Sequence, residues 1–168
     1  ANGKKYFAEK ILIATGSTTF IPDLSGLKET GYLTNETLYE LEELPEHLCV
    51  IGGRYIALEN AQMFARLGSK VTILQRSNRI LPDEMPDVTE TLKDYLEEEG
   101  IEILTGAKIK SIVRKNGKVL VNASVKDEPQ TIEGTHIFIA AGRKGNSKEF
   151  GLEELGIEIH KNSFIKTN

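Results

Sequence analysis

Val50-Ile51-Gly52-Gly53-Arg54-Tyr55-Ile56-Ala57 carries the chain from an apolar strand through two glycines into a helix, and its reading decides the fold. A strand, a glycine turn and a helix start form the context in which a dinucleotide-binding fingerprint works. Gly52 permits a tight turn out of the strand, and Ala57 is small enough for helix and sheet to pack closely. The leading amides of the helix, with its dipole, would face a pyrophosphate. The middle place of the G-x-G-x-x-G/A pattern is held by Arg54. Its side chain restricts the approach of backbone to phosphate, yet its guanidinium could itself meet an anion. With arginine at that place, the motif alone also fits an ordinary strand–helix turn.

Outward from this stretch, strand–helix alternation continues. Leu48–Ile51 reads as a short buried strand. Tyr55–Leu67 reads as a helix with Ile56, Met63 and Leu67 on one stripe and Ala57, Ala61 and Phe64 beside it. Gly68 ends that helix, and Val71–Leu74 is the next strand. A second helix starts near Pro86, a residue suited to a first helical position, with Val88, Leu92, Tyr95 and Leu96 as its inner face and Gly100 at its end. Ile101–Leu104 is a third apolar strand. Ala107–Val113, Val119–Val125 and Gln130–Ile132 then alternate, separated by the turn signals Asn116–Gly117 and Asp127–Pro129, and read as an antiparallel meander. Ile137–Ala140 is one more apolar strand, ended by Gly142. Upstream, Tyr6–Phe7 and Lys10–Thr15 read as extended and Ser17–Gly31 as loop. Asn35–Leu44 reads as a short helix capped by Thr34 or Asn35 and stopped by Pro45. Parallel strands buried on both faces and joined by helices specify an α/β fold: a Rossmann-like doubly wound parallel sheet with an antiparallel β-meander crossover.

Val71–Leu74 runs into Gln75, 23 residues after Gly52. An acidic residue about 20 positions beyond the first glycine would bind the free ribose hydroxyl of NAD. Here that place holds the neutral Gln75, followed by Arg76 and Arg79. A ribose bearing a 2′-phosphate needs cations, and arginine offers a fork of donors matched to phosphate. NADPH is therefore the nucleotide expected; solvated loop charges are the alternative role for the two arginines.

The 168 residues suffice for one domain of ordinary size, or for one domain with parts of a neighbour. With 21 basic and 25 acidic residues, 39% hydrophobic and 27% charged, the chain has the balance of a globular domain. That balance excludes disorder, a collagen-like repeat and nucleic-acid binding through bulk positive charge. The apolar runs Ile11–Ala14 and Ile137–Ala141 fall far short of the roughly 18–20 residues of a membrane-spanning helix. Ala1–Lys10 lacks the apolar core of a signal peptide. A cytoplasmic protein with no membrane or nucleic-acid partner is expected. The single cysteine, Cys49, excludes an intramolecular disulfide and lies inside an apolar strand, where a buried structural thiol is expected. His47, His136 and His160 show no ligand spacing, so no metal site is expected, and the acidic run Asp83–Glu99 reads as the outer face of a helix.

Taken together, Gly52–Glu59, Gln75-Arg76-Ser77, the meander and Ile139-Ala140-Ala141-Gly142-Arg143 resemble the pyridine-nucleotide domain of the flavin-dependent disulfide oxidoreductases. Ile13-Ala14-Thr15-Gly16-Ser17 is similar to the segment by which that family leaves its flavin domain. The likeness is nearest to the mercuric reductases, on Ala57-Leu58-Glu59 with Ala61-Gln62, on Leu67–Thr72 and on the non-glycine at Arg54. The related dihydrolipoamide dehydrogenases usually carry an acid where Gln75 stands. The resemblance implies that Tyr55 is the aromatic beside the nicotinamide pocket and that Glu59 holds the carboxamide. It also implies that Gly142 and Arg143 border the nicotinamide half and that Ile109 lies where the meander touches adenine. With Gly52, Gly53, Arg54, Ile56, Gln75, Arg76 and Arg79, these residues make up the expected cofactor site, and none is expected to be catalytic. A core aromatic for Tyr55 and a surface charge for Glu59 are the alternatives.

Two residues depart from the family's pattern. Asn60 sits on the stripe of Ile56, Met63 and Leu67, where an apolar residue is usual, and Gly145 stands where proline commonly follows the glycine–arginine pair. The family's flavin-binding strand–turn–helix and its paired-cysteine redox centre are not in the sequence. The chain is therefore expected to be the middle of a longer flavoprotein. Residues 1–40 would be part of a flavin-binding domain with a linker helix, 41–135 the NAD(P)-binding domain, and 136–168 its last strand and the return into the flavin domain. The resemblance implies an FAD-dependent parent that passes hydride from NADPH to flavin and on to a cysteine pair. Hg(II) or a disulfide would be the acceptor, and the parent would dimerise through a C-terminal domain. The 168 residues alone are expected to be inactive. A non-catalytic nucleotide-binding module of the same fold is the reading from another class. A different Rossmann-type enzyme, such as a methyltransferase, is disfavoured by the meander and Gly142-Arg143.

Overall fold

Leu48, Cys49, Val50 and Ile51 are all buried, so the strand they form must be covered on both faces, and the rest of the chain is arranged to do so. The computed structural model describes residues 3–167. In chain order its elements are β1 (Ser17–Thr19), α1 (Leu27–Thr30), β2 (His47–Ile51), α2 (Tyr55–Leu67), β3 (Lys70–Gln75), α3 (Pro86–Glu98) and β4 (Glu102–Thr105). There follow β5 (Ala107–Lys115), β6 (Lys118–Val125), β7 (Glu128–Gly134), β8 (His136–Ile139) and β9 (Arg143–Gly145), with 3₁₀ turns at Leu38–Glu40 and Glu153–Leu155. Two compact units result: Thr19–Gly142, and the residues up to Thr18 together with those from Arg143 onward. Residues 19–40 and 136–142 fall in the larger unit. Leu33 secures the first of these segments by bridging Phe138, donating to the Ile137 carbonyl at 2.7 Å and accepting from Ile139 at 2.9 Å.

In the larger unit a four-stranded sheet runs β4-β3-β2-β8, with every pair parallel. Side chains alternate across it. Leu48, Val50, Val71, Ile73 and Phe138 pack with Ala57, Ala61 and Phe64 of α2 and Leu96 of α3. Cys49, Ile51, Leu74, Ile137 and Ile139 pack with Ile112, Val119, Val121 and Ile132 of the antiparallel sheet β5-β6-β7. The meander thus covers one face of the parallel sheet and the helices cover the other. This is the α/β Rossmann-like arrangement read from the sequence.

Several elements differ from that reading in detail. The line of α2 that meets the sheet runs through Ala57, Ala61 and Phe64. Ile56 and Met63 are half-buried, and Leu67 is 58% exposed. The two alanines let the helix lie close to the sheet, which moves the contact line off the larger side chains. Asn60 is buried on this line and satisfied. Its Nδ2 donates to the Ile56 carbonyl at 2.7 Å, and the Tyr39 hydroxyl donates to its Oδ1 at 2.6 Å. In α3, which starts with Pro86, the buried residues are Thr89 and Leu96, while Val88 and Tyr95 are exposed. The edge strand β4 offers a narrow ledge, and one line of side chains covers it.

The helix expected over Asn35–Leu44 is a single 3₁₀ turn, Leu38–Glu40. Only Leu38 is fully buried there, Leu41 is already extended and Leu44 is exposed, so one anchor does not hold a longer helix. The turn expected at Asp127–Pro129 is Lys126–Asp127, and Pro129 lies in β7 opposite Ser124. β7 is the outer strand of its sheet, where a missing N–H is tolerated. No strand forms before Ser17 among the described residues. Tyr6, Phe7, Ile11 and Leu12 are exposed, because apolar content makes a strand only where a pairing edge is present.

In the smaller unit β1 pairs with β9, Arg143 donates to the Ser17 hydroxyl and Leu152 is buried. Gly145 donates its N–H to the Asn162 carbonyl at 2.9 Å, a bond that proline could not make. Among the described residues no helix is long and apolar enough to cross a membrane.

Candidate functional site: a cleft at the strand ends

β3 lies on one side of β2 and β8 on the other, so the chain reverses its direction of travel across the sheet at β2. In open α/β sheets the crevice beyond the strand ends at such a switch point is where ligands bind. Here it is a cleft of about 510 Å³, walled by the ends of β2, β3 and β8, by the start of β5 and by Phe20, Pro22 and Leu24.

The glycine turn forms its floor. Gly52 has φ +126°, and its N–H donates to the Leu74 carbonyl at 3.0 Å. A Cβ at Gly52 would lie 2.2 Å from the Ala140 oxygen, so the residue is demanded by the close passage of the chain leaving β8. Gly53 accepts from the Leu81 N–H at 2.9 Å, and a Cβ there would meet Gln75 Cβ and Cγ at 2.9 Å. Arg54, by contrast, has φ −105° and ψ −177°, extended backbone that any residue adopts. The backbone therefore accepts a side chain at the middle place of the fingerprint. No side chain caps α2, so the amides of its first turn are not drawn to a cap.

Arg54 lines the cleft, and its Nη1 meets Asp83 Oδ2 at 2.5 Å. That hydrogen bond and the arginine charge hold the Asp83 carboxyl below its usual range. The Tyr55 hydroxyl donates to Glu84 Oε1, a bond to a carboxylate that raises the phenol's pKa. Two successive residues of the helix start are thus tied to two successive acids of the loop after β3.

At the end of β3, Gln75 is buried, and its Nε2 donates to the Ser77 hydroxyl and, at 3.3 Å, to the Arg79 carbonyl. Its carboxamide is engaged by the loop. Arg76 lines the cleft, is exposed, and makes no hydrogen bond or ion pair with the described residues. Arg79 is not brought to the cleft wall; its Nη2 donates to the Pro82 carbonyl at 2.7 Å and the Glu84 carbonyl at 3.4 Å. Ile109 lines the cleft, half-buried against the meander core.

Tyr55, Ile56, Glu59 and Gly142 lie outside the cleft wall. Ile56 packs in the helix-face core and Glu59 is exposed. Arg143 is the first residue of β9, and its Nε donates to Ser17 Oγ at 2.8 Å. The wall residues Phe20, Pro22 and Lys108 are not among the site residues expected from the sequence. Lys108 falls within the alternating segment Ala107–Val113, and Phe20 and Pro22 fall in a stretch with no periodicity. Cys49 is fully buried and its thiol is pushed up to about 12, chiefly by burial and then by the Glu102 charge, so it is no nucleophile. Among the described residues no group of three His, Cys, Asp or Glu is placed to hold a metal ion.

A family model described as pyridine nucleotide-disulphide oxidoreductase matches residues 1–168. The chain belongs to the pyridine nucleotide-disulphide oxidoreductase family. This is a family of FAD- and NAD(P)H-dependent oxidoreductases. The chain is 38% identical over 167 residues to a mercuric reductase of Lysinibacillus sphaericus, covering 99% of this chain and 31% of that protein. It is 35% identical over 171 residues to a dihydrolipoyl dehydrogenase of Acholeplasma laidlawii, covering 99% and 49% respectively. Among solved structures it is similar to the HOCl-induced flavoprotein disulfide reductase RclA from Escherichia coli. There the TM-score is 0.83 at 33% identity, over 95% of this chain and 36% of that one. The chain thus spans about a third of the mercuric reductase and RclA chains.

Proposed function

We propose that the cleft binds NADPH as part of an FAD-dependent oxidoreductase of the mercuric-reductase type. The observation that carries this reading is the end of β3. Where an acid would favour NAD, Gln75 is buried with its amide turned into the loop, and beside it Arg76 lines the cleft with no protein partner among the described residues. The residues fit the nucleotide. Gly52, Gly53 and the uncapped start of α2 suit the pyrophosphate. Ile109 offers an apolar wall for adenine, and Arg76 a guanidinium for the 2′-phosphate. Arg54 stands over the same turn and can exchange an exposed carboxylate partner for phosphate.

When bound, the nucleotide would supply a hydride to the flavin, whose two electrons would pass through a cysteine pair to reduce Hg(II) to Hg(0). The protein's own residues bind and orient it. Tyr55, Glu59, Gly142 and Arg143 are assigned to the nicotinamide half, and Arg79 to the architecture of the loop that carries Arg76. In this reading residues 1–40 belong to the flavin-binding part of a cytoplasmic homodimer, residues 136–168 supply the last strand of the nucleotide domain and the return into the flavin-binding part, and the 168 residues alone do not turn over. The dihydrolipoyl dehydrogenase likeness supports disulfide reduction as the second reading, which the neutral Gln75 disfavours.

Calorimetric titration with NADP⁺ and NAD⁺, on the starting protein and on Arg76→Ala, tests the cofactor. Charge-assisted hydrogen bonds contribute about 1.5–3 kcal/mol. Solvent screening at an exposed site brings the expected NADP⁺ preference to roughly ten-fold at low salt, lost in Arg76→Ala. Equal affinities in the starting protein, or an intact preference in Arg76→Ala, would refute the assignment.

A further inference from the structure

We infer that Lys108 is the second cation of the 2′-phosphate site, taking the place the sequence gives to Arg79, and that Asp127 holds it when the site is empty. The inference rests on the NADPH reading and specifies which residues choose that nucleotide. A phosphomonoester carries nearly two negative charges near neutral pH, and one arginine balances only part of them. Arg79 is spent on the Pro82 and Glu84 carbonyls and lies off the cleft wall.

Sheet register carries Lys108 to the same cleft as Arg76. β3 and β4 end side by side with Gln75 opposite Thr105, and the next N–H along, that of Gly106, donates to the Ser77 carbonyl at 2.9 Å. The corner from β4 into β5 is thereby fastened to the turn that bears Arg76. Lys108, two residues further on, lines the same cleft as Gln75, Arg76 and Ser77. Its ammonium contacts Asp127 Oδ1 at 3.1 Å, with side-chain exposures of 71% and 86%. So exposed a pair contributes little to the fold, and the ammonium can leave a single carboxylate for a dianion. Arginine would hold two phosphate oxygens through its fork, and lysine would add a mobile point charge.

Titration of the chain with NADP⁺ and NAD⁺ is extended to Lys108→Met, Lys108→Arg and Asp127→Asn, with thermal melting to verify folding. Lys108→Met is expected to weaken NADP⁺ about ten-fold at low salt while leaving NAD⁺ unchanged, and to flatten the salt dependence of NADP⁺ binding. Lys108→Arg should keep the preference, and Asp127→Asn should strengthen NADP⁺ about two- to five-fold. An unchanged NADP⁺/NAD⁺ ratio in folded Lys108→Met overturns the role of Lys108, and unchanged NADP⁺ affinity in Asp127→Asn overturns that of Asp127. If Arg76→Ala loses the preference while Lys108→Met keeps it, the NADPH reading stands and this inference alone falls. If the starting protein shows no preference, both fall.

Discussion

Replacing Gly52 and, separately, Gly142 by alanine isolates what the turn after β2 demands. The two glycines have nearly the same φ, +126° and +130°. A non-glycine residue in such a region costs about 1–3 kcal/mol from strain alone. At Gly142 a Cβ would meet nothing within 4 Å, so strain is the whole cost. At Gly52 it would lie 2.2 Å from the Ala140 oxygen and 2.7 Å from its carbon, both backbone atoms that cannot rotate away. Relief requires the chain after β8 to move, which endangers the bond from the Ala140 N–H to the Ile51 carbonyl at 2.9 Å and the packing around it. That bond contributes about 0.5–1.5 kcal/mol, and the displaced packing roughly as much again, so with the strain Gly52→Ala is expected to lose about 2–6 kcal/mol, centred near 4. At about 2–4 °C per kcal/mol for a chain of this size, melting falls by roughly 10–15 °C for Gly52→Ala and about 5 °C for Gly142→Ala. Differential scanning calorimetry reads both. Equal shifts would show that φ, and not the approach of Ala140, governs Gly52. The same geometry places the loss in folding first and in nucleotide binding second.

Tyr39→Phe leaves the buried Asn60 Oδ1 without its hydroxyl donor and is expected to lose about 1–2 kcal/mol in urea unfolding; unchanged stability would mean that water satisfies Asn60. Stability should also fall between pH 7 and pH 5. Burial first, and the Lys70 charge second, hold His47 below its ordinary value of 6.5, and burial with Arg114 does the same for His136. In that window the unfolded chain takes up protons the folded chain refuses, so the stability present above 6.5 drains as pH drops toward the lowered values. His47→Gln keeps a donor toward Thr72 and should flatten the slope measured by urea titration at the two pH values; an unaltered slope would assign it to other groups.

The elements legible in the sequence are those whose cause lies within a few residues. Leu48–Ile51 had to be a doubly buried strand because it is apolar without interruption. Tyr55–Leu67 was bounded by a glycine at its C-terminal end, and Pro86 marked the first position of α3. Asn116–Gly117, at φ 53° and 78°, made the hairpin that the dipeptide announces. The limits of such reading appear where a side chain's meaning depends on what faces it. The period of α2 placed Asn60 on an apolar stripe, and nothing local indicated that Tyr39 would complete it. The Leu38–Leu41–Leu44 spacing suggested a helix, yet only Leu38 found a core to enter.

For the candidate site the division is the same. The sequence by itself determined that a strand–glycine–helix turn exists, that Gln75 ends the following strand and that cations surround it, because periodicity and turn chemistry act along the chain. Only the tertiary structure decided that Gly52 answers to Ala140, that Arg79 serves loop carbonyls and that Lys108 lines the same cleft as Arg76. Those facts depend on β8 lying beside β2 and on the register of β3 against β4, which bring together residues far apart in sequence. Hydrogen bonds and charges act over a few ångströms of space, and no local pattern records which distant backbone will arrive there.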